Sequence, residues 1–164
     1  MLEIRDLPEV AELLRAFMLE TFGKPWNGSE SALARDAFGK ELHIAVAGEP
    51  LAAFIGWTRA YDLHHCIFGA SICDMYVAPE HRGRGVALEL VCFAAAHVRD
   101  EGGIFIQGQA VEGREKEYAR LAMCFPGASC IIGGRAFRTL AELSGSSPKE
   151  IARGLPKREW NFEP

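Results

Sequence analysis

The chain has 164 residues, a length that fits one domain and buries about 70% of its unfolded surface, so it needs no disulfide or structural metal to fold. Charged residues make up 24% and the hydrophobic set 49%, which excludes disordered, collagen-like and coiled-coil chains. Lysine plus arginine number 18 against 22 aspartate plus glutamate, and the net charge of −4 speaks against a general nucleic-acid surface. In chain order, alternation in residues 2–5 predicts a short first strand. Asp6 ahead of Pro8, with Glu9 three residues on, predicts a capped helix. Its apolar face is Val10, Leu13, Leu14, Phe17 and Met18, and it ends near Phe22 and Gly23. Residues 23–28 are rich in turn formers, and Ser29 or Ser31 opens a second helix to Phe38, closed by Gly39.

A hairpin follows, with an alternating strand over 42–47, a turn at Gly48, Glu49 and Pro50, and a long buried strand over 51–61. Residues 70–77 are apolar on both faces, which predicts a central strand. Residues 86–99 carry Ala87, Leu90, Val91, Ala94 and Val98 on one helical face, and Gly102 with Gly103 stops the helix. Residues 104–107 predict a strand and 115–124 a helix. Residues 129–132 and 136–143 predict two strands about a turn at Gly133 and Gly134. Ser147, Pro148 and Glu150 form a capping box with proline at the first helical position, so a short helix follows. The order describes an α/β fold, one mixed and mostly antiparallel sheet flanked by helices, as a single layered domain over residues 1–143 with a tail over 144–164.

The five cysteines, at 66, 73, 92, 124 and 130, form no Cys-x-x-Cys pair and sit in apolar runs, which predicts buried free thiols in a reducing compartment. No run approaches the ~20 apolar residues of a membrane span. The first residues lack the basic start and apolar core of a signal peptide, so the expectation is a cytoplasmic protein with no membrane partner.

The most informative segment is residues 74–88. A buried strand ends at Val77, and Pro79, with no N–H to give, stops the ladder. Arg82, Gly83, Arg84 and Gly85 then form a loop opening directly into a helix. The first N–H groups of a helix lack intrahelical partners and carry the positive end of its dipole. Gly83 and Gly85 allow close backbone approach, and Arg82 and Arg84 add charge. The result is an anion cradle suited to a pyrophosphate. There is no Gly-Lys-Ser/Thr nucleotide loop and no dinucleotide-type Gly-x-Gly-x-x-Gly with its acidic partner.

At these residues the chain resembles the GNAT superfamily of acetyl-CoA-dependent N-acetyltransferases. The family's signature, Arg/Gln-x-x-Gly-x-Gly/Ala after a strand ending in Val-x-Pro-Glu, stands here as Val77, Pro79, Glu80, Arg82, Gly85 and Ala87. The element order agrees to about Leu143. The resemblance implies a sheet that splays beside the strand of residues 70–77. It implies pantetheine against the backbone of Met75, Tyr76 and Val77, and pyrophosphate on the N–H groups of Gly83, Arg84, Gly85, Val86, Ala87 and Leu88. Arg82 would mainly stabilise the loop. The implied reaction is direct attack of an amine on the thioester, with acetyl-CoA as co-substrate and no metal. The family usually protonates the leaving thiolate with a tyrosine at a position that falls here on Ala122 or Met123. Tyr118, one turn earlier, is the phenol on that helix; water or Cys124 are alternatives.

Asp74 stands in a strand otherwise apolar on both faces. Buried carboxylates are paired or functional, so its two readings are a structural salt bridge and a general base or cation-binding group. The resemblance extends to polyamine-type members with an aspartate in this place. His64, His65 and Cys66 are adjacent, and adjacent side chains of an extended segment diverge, so no metal site is expected there; the trio reads as loop residues near the substrate mouth. Trp26 either stacks on a ligand or covers the core. The leading function is acetylation of a small-molecule or peptide amine, with a homodimer left open. A non-catalytic acyl-CoA-binding module is the alternative, and acetylation of charged tRNA is disfavoured by the net charge.

Overall fold

The computed structural model describes residues 2–39, 42–109, 113, 115–120, 123 and 129–156. The chain opens with a 3-10 turn, Ile4–Asp6, rather than the expected strand. The reason is local: Asp6 Oδ2 accepts the Glu3 N–H at 2.9 Å, closing a capping box that turns the chain before it can extend. Asp6 therefore does not cap the following helix with its side chain. That helix, α1 (Leu7–Phe22), carries proline in its first turn and ends at Gly23 in the left-handed conformation. Helix α2 (Glu30–Phe38) is capped as expected by Ser29, whose Oγ accepts from the Ala32 N–H at 3.2 Å.

The sheet follows as β1 (His43–Ala47), β2 (Ala53–Asp62) and β3 (Ile67–Val77). A 3-10 turn, Pro79–His81, leads to α3 (Val86–Asp100), then β4 (Phe105–Gln109), α4 (Glu115–Arg120) and β5 (Ser129–Gly133). The strands lie in the order β1-β2-β3-β4-β5, antiparallel except where β3 meets β4. The sheet is mixed and mostly antiparallel, with β3 at its centre, as the sequence predicts.

The second strand expected after β5 is instead a helix, α5 (Gly134–Glu142). Ala136, Phe137, Leu140 and Ala141 are its buried residues, a spacing of one helical face rather than strand alternation. Gly134 supplies a φ of 54° at its start, so the glycine pair is a helix entry and not a hairpin turn. The capping-box helix exists as α6 (Pro148–Gly154), and its Ile151 is wholly buried in the main core, so this part of the segment read as a tail packs into the domain, while residues 157–164 lie outside the described residues.

The two faces of the sheet bury separate cores. Under α3, α5 and α6 lie Ile55, Trp57, Ala70, Val91, Ile106, Ile132, Phe137 and Leu140. Under α1 and α2 lie Ile44, Phe54, Tyr76, Val10, Leu13 and Phe17. Among the described residues no polar or charged residue is fully buried. Cys92 and Cys130 are buried free thiols as expected, whereas Cys66 and Cys73 are exposed.

Candidate active site

The site begins with a change in pairing along β3. Beside β4, Ala70 pairs with Ile106 and Ser71 with Gln107, and the parallel ladder stops there. Strand β3 nevertheless runs on to Val77. Among the described residues its last six residues pair with β2 alone, and the end of the β3–β4 ladder marks the start of what we term the wedge.

A bulge sits where the wedge starts. Ile72 pairs with Trp57 and Asp74 with Gly56, so Cys73 is an extra residue with no partner on β2. A bulge turns its two residues toward one side and increases local twist. Met75 and Val77 pack on the α3-side core and Tyr76 in the α1-side core. By alternation Asp74 shares the Tyr76 face, with Cys73 beside it. Opposite Asp74 is Gly56, a strand position without a side chain to fill the space. Burial pushes the Asp74 carboxyl above the usual carboxylate range, and burial also pushes up the Cys73 thiol. No ion pair to Asp74 occurs among the described residues.

Beyond Val77 the segment Arg82, Gly83, Arg84 and Gly85 opens directly into α3. Gly83 and Gly85 adopt φ of 74° and 90°, the left-handed region. A side chain at Gly83 would meet nothing within 4 Å, so the loop backbone is open to a ligand there. At Gly85 a Cβ would lie 2.2 Å from the Pro148 side chain, so this glycine is needed for the seating of α6 as well as for the turn. The Leu88 N–H is already spent on Gly85 O at 3.0 Å, which leaves the N–H groups of Val86 and Ala87 as the orphans of the first turn of α3.

Arg82 is exposed, but its head group is bonded to the protein. Its Nε donates to Val77 O at 2.9 Å and its guanidinium meets Glu20 of α1 at 2.7 Å. Glu20 also accepts from the Tyr76 hydroxyl at 3.1 Å. Arg82 thus clamps the end of β3 to α1, which leaves exposed Arg84 as the loop's outward charge. Glu20 carries no motif that would have exposed it in the sequence; Gly56, a glycine inside a strand, was the legible sign of the bulge.

Tyr118 lies in α4, half-buried against the α3-side core. Met123, where the tyrosine was expected, is buried in that core, while Ala122 and Cys124 lie outside the described residues. His64 and His65 sit in the β2–β3 turn, with both backbone N–H groups on Asp62 Oδ1 at 2.9 and 3.3 Å. That turn is about 25 Å along β3 from Asp74 at the rise of a strand, so it does not border the wedge. Trp26 is half-buried, stacked under Arg15 and tight against Gly28.

A model of the acetyltransferase (GNAT) family matches residues 7–116. No curated protein matches the chain significantly in sequence. Among solved structures, the ribosomal-protein-alanine N-acetyltransferase of Brucella melitensis biovar Abortus 2308 is 19% identical with a TM-score of 0.61, covering 77% of this chain and 91% of that one. YncA of Salmonella typhimurium, solved with its cofactor acetyl-CoA, is 11% identical with a TM-score of 0.66, covering 80% and 90%. An aminoglycoside acetyltransferase from an uncultured soil metagenomic sample, in complex with sisomicin, is 17% identical with a TM-score of 0.60, covering 71% and 78%. At these identities the likeness is one of fold.

Proposed function

The chain belongs to the acetyltransferase (GNAT) family, and on that premise we propose that it transfers the acetyl group of acetyl-CoA to a primary amine by direct attack on the thioester. The observation that carries this reading is the wedge: β3 loses its β4 partner after Ser71, carries Asp74 on the open half, and leads within a few residues into the α3 cradle.

The residues present fit acetyl-CoA. The N–H groups of Val86 and Ala87, the positive end of the α3 dipole and Arg84 hold the pyrophosphate, and Gly83 lets it come close to the backbone. Met75, Tyr76 and Val77 offer backbone to the pantetheine arm in place of the missing strand. This aims the thioester at the bulge. Asp74 accepts the proton of the incoming ammonium, directly or through one water, and its charge draws the cation in. Its raised pKa makes it a better base than a solvated aspartate. The amine nitrogen then attacks the carbonyl carbon, the C–S bond breaks, the thiolate takes a proton from a donor, and the proton that the nitrogen sheds as it becomes an amide restores that donor. Tyr118 is the proposed donor.

The acceptor is a small-molecule or peptide amine. Thr58, Ser71, Cys73 and Asp74 give its approach a polar lining on the α1 side of the sheet. The test is an amine panel with detection of released thiol: an aminoglycoside, a polyamine and a peptide with N-terminal alanine. Amine-dependent release with acetylated product supports the reading. Tight acetyl-CoA binding with no release on any amine would replace it with a non-catalytic acyl-CoA-binding module. Tyr118→Phe should cut turnover about 100-fold with little change in acetyl-CoA affinity, and unchanged turnover would assign the last proton to water.

A further inference from the structure

We propose that His43, His97 and Glu101 form a binding site for one divalent transition-metal ion, on the sheet face opposite Asp74. One donor atom from each of the three lies within 4.8 Å of the other two. His97 and Glu101 are four apart at the end of α3 and share a face, with Nε2 3.3 Å from Oε1. His97 Nε2 is shielded from solvent and lacks a hydrogen bond of proper geometry. A buried nitrogen left in that state is costly, and a metal ion would satisfy it.

The rings are held in place. His43 comes from β1 and stacks on Trp57 at 5.4 Å and 11°. Trp57 also meets His97 edge-on at 5.6 Å and 68°, and the two imidazoles lie 4.9 Å apart. Trp57 is buried, so one fixed indole orients both ligands. Helix α3 ends on Asp100 and Glu101, acidic groups at the negative end of its dipole, where a cation is favoured.

The donor set selects the ion. Two imidazoles and one carboxylate suit zinc, cobalt or nickel and not magnesium or calcium. Metal–nitrogen bonds of about 2.0–2.1 Å put tetrahedral donors about 3.3 Å apart, so these groups close by at most about 1.5 Å. His97 and Glu101 already stand at that spacing, so the closing movement is between His43 and this pair. Three protein ligands leave a fourth position for water. The ion ties β1, the outer strand, to the C-terminal turn of α3. Its role is to fasten the sheet edge, since Asp74 is on the other face.

The whole protein, stripped of metal, is titrated with cobalt(II) while visible absorption and tryptophan fluorescence are followed, and zinc is then used in competition. The expected result is one equivalent bound with quenching of Trp57. Glu101→Gln, at an exposed position, weakens binding about 10- to 100-fold, and His97→Gln abolishes it. His65→Gln and Cys66→Ser leave it unchanged. Zinc at about a hundredfold excess over its dissociation constant raises the melting temperature by about 5–10 °C. If His97→Gln fails to fold, the Glu101→Gln titration decides alone. No cobalt binding by the wild type, or binding that Glu101→Gln leaves intact, overturns the site and leaves a helix ion pair.

Discussion

The two halves of β3 are one continuous strand in different surroundings. Over Phe68 to Ser71 it has neighbours on both sides, and Gly69 is pressed so closely on Phe105 that a Cβ would lie 2.1 Å from the Phe105 carbonyl oxygen. From Cys73 to Val77 it pairs, among the described residues, with β2 alone, and carries an exposed thiol and a half-buried carboxylate. The first half anchors the sheet. The second leaves backbone and charge unspent, and a ligand can use both. On the proposed function, the difference teaches that ending a ladder early can make a binding site with no loop inserted.

The largest effect expected from this contrast is on stability in the closed half. Gly69→Val must push against backbone rather than a yielding side chain, and it should cost at least about 3 kcal/mol in denaturant unfolding. Cys73→Ser, in the open half, should stay within about 0.5 kcal/mol. Similar costs for the two would erase the distinction. The cradle gives a finer comparison. Gly85→Ala meets both a left-handed φ and Pro148, so it should lose about 2 kcal/mol or more, whereas Gly83→Ala meets the φ alone and should lose about 1 kcal/mol. Acetyl-CoA affinity should fall in both.

The smallest effect is a pH signature at Asp74. Its carboxyl is raised in the folded state, so the native protein holds this proton to higher pH than the unfolded chain does. Stability from this group is therefore present below the unfolded pKa and is lost as pH rises through the folded one. Asp74→Asn should be more stable than wild type at pH 7, with the gain vanishing near pH 3, about a unit below an unfolded aspartate. A loss of stability at pH 7 would instead mark Asp74 as a structural partner.

The run of strand, loop and helix over residues 74–88 was legible because independent local signals agreed: a proline that ends a strand, two glycines after it and an apolar helix face following them. The mixed sheet with β3 central and the capping of α2 and α6 were legible for the same reason. Residues 2–5 were not, because the Glu3–Asp6 capping box outcompeted a four-residue alternation. Residues 136–143 were misread because a glycine pair serves a hairpin and a helix entry equally well, and only the spacing of Phe137, Leu140 and Ala141 separates the two. The Glu20 contact to Arg82 spans 62 residues, and no local pattern reports it. Nor does the sequence bring His43 to His97, since their meeting depends on α3 crossing β1.

The central claim is that the open half of β3 is where an amine meets the thioester. The direct measurement is the pair of acetyl-CoA affinity and amine-dependent thiol release for wild type and Asp74→Asn. The account predicts an affinity changed by less than about twofold and a turnover about 100-fold lower, with wild-type activity rising as pH climbs through the raised Asp74 pKa. Equal turnover in a folded Asp74→Asn protein, with the same pH profile, would contradict it.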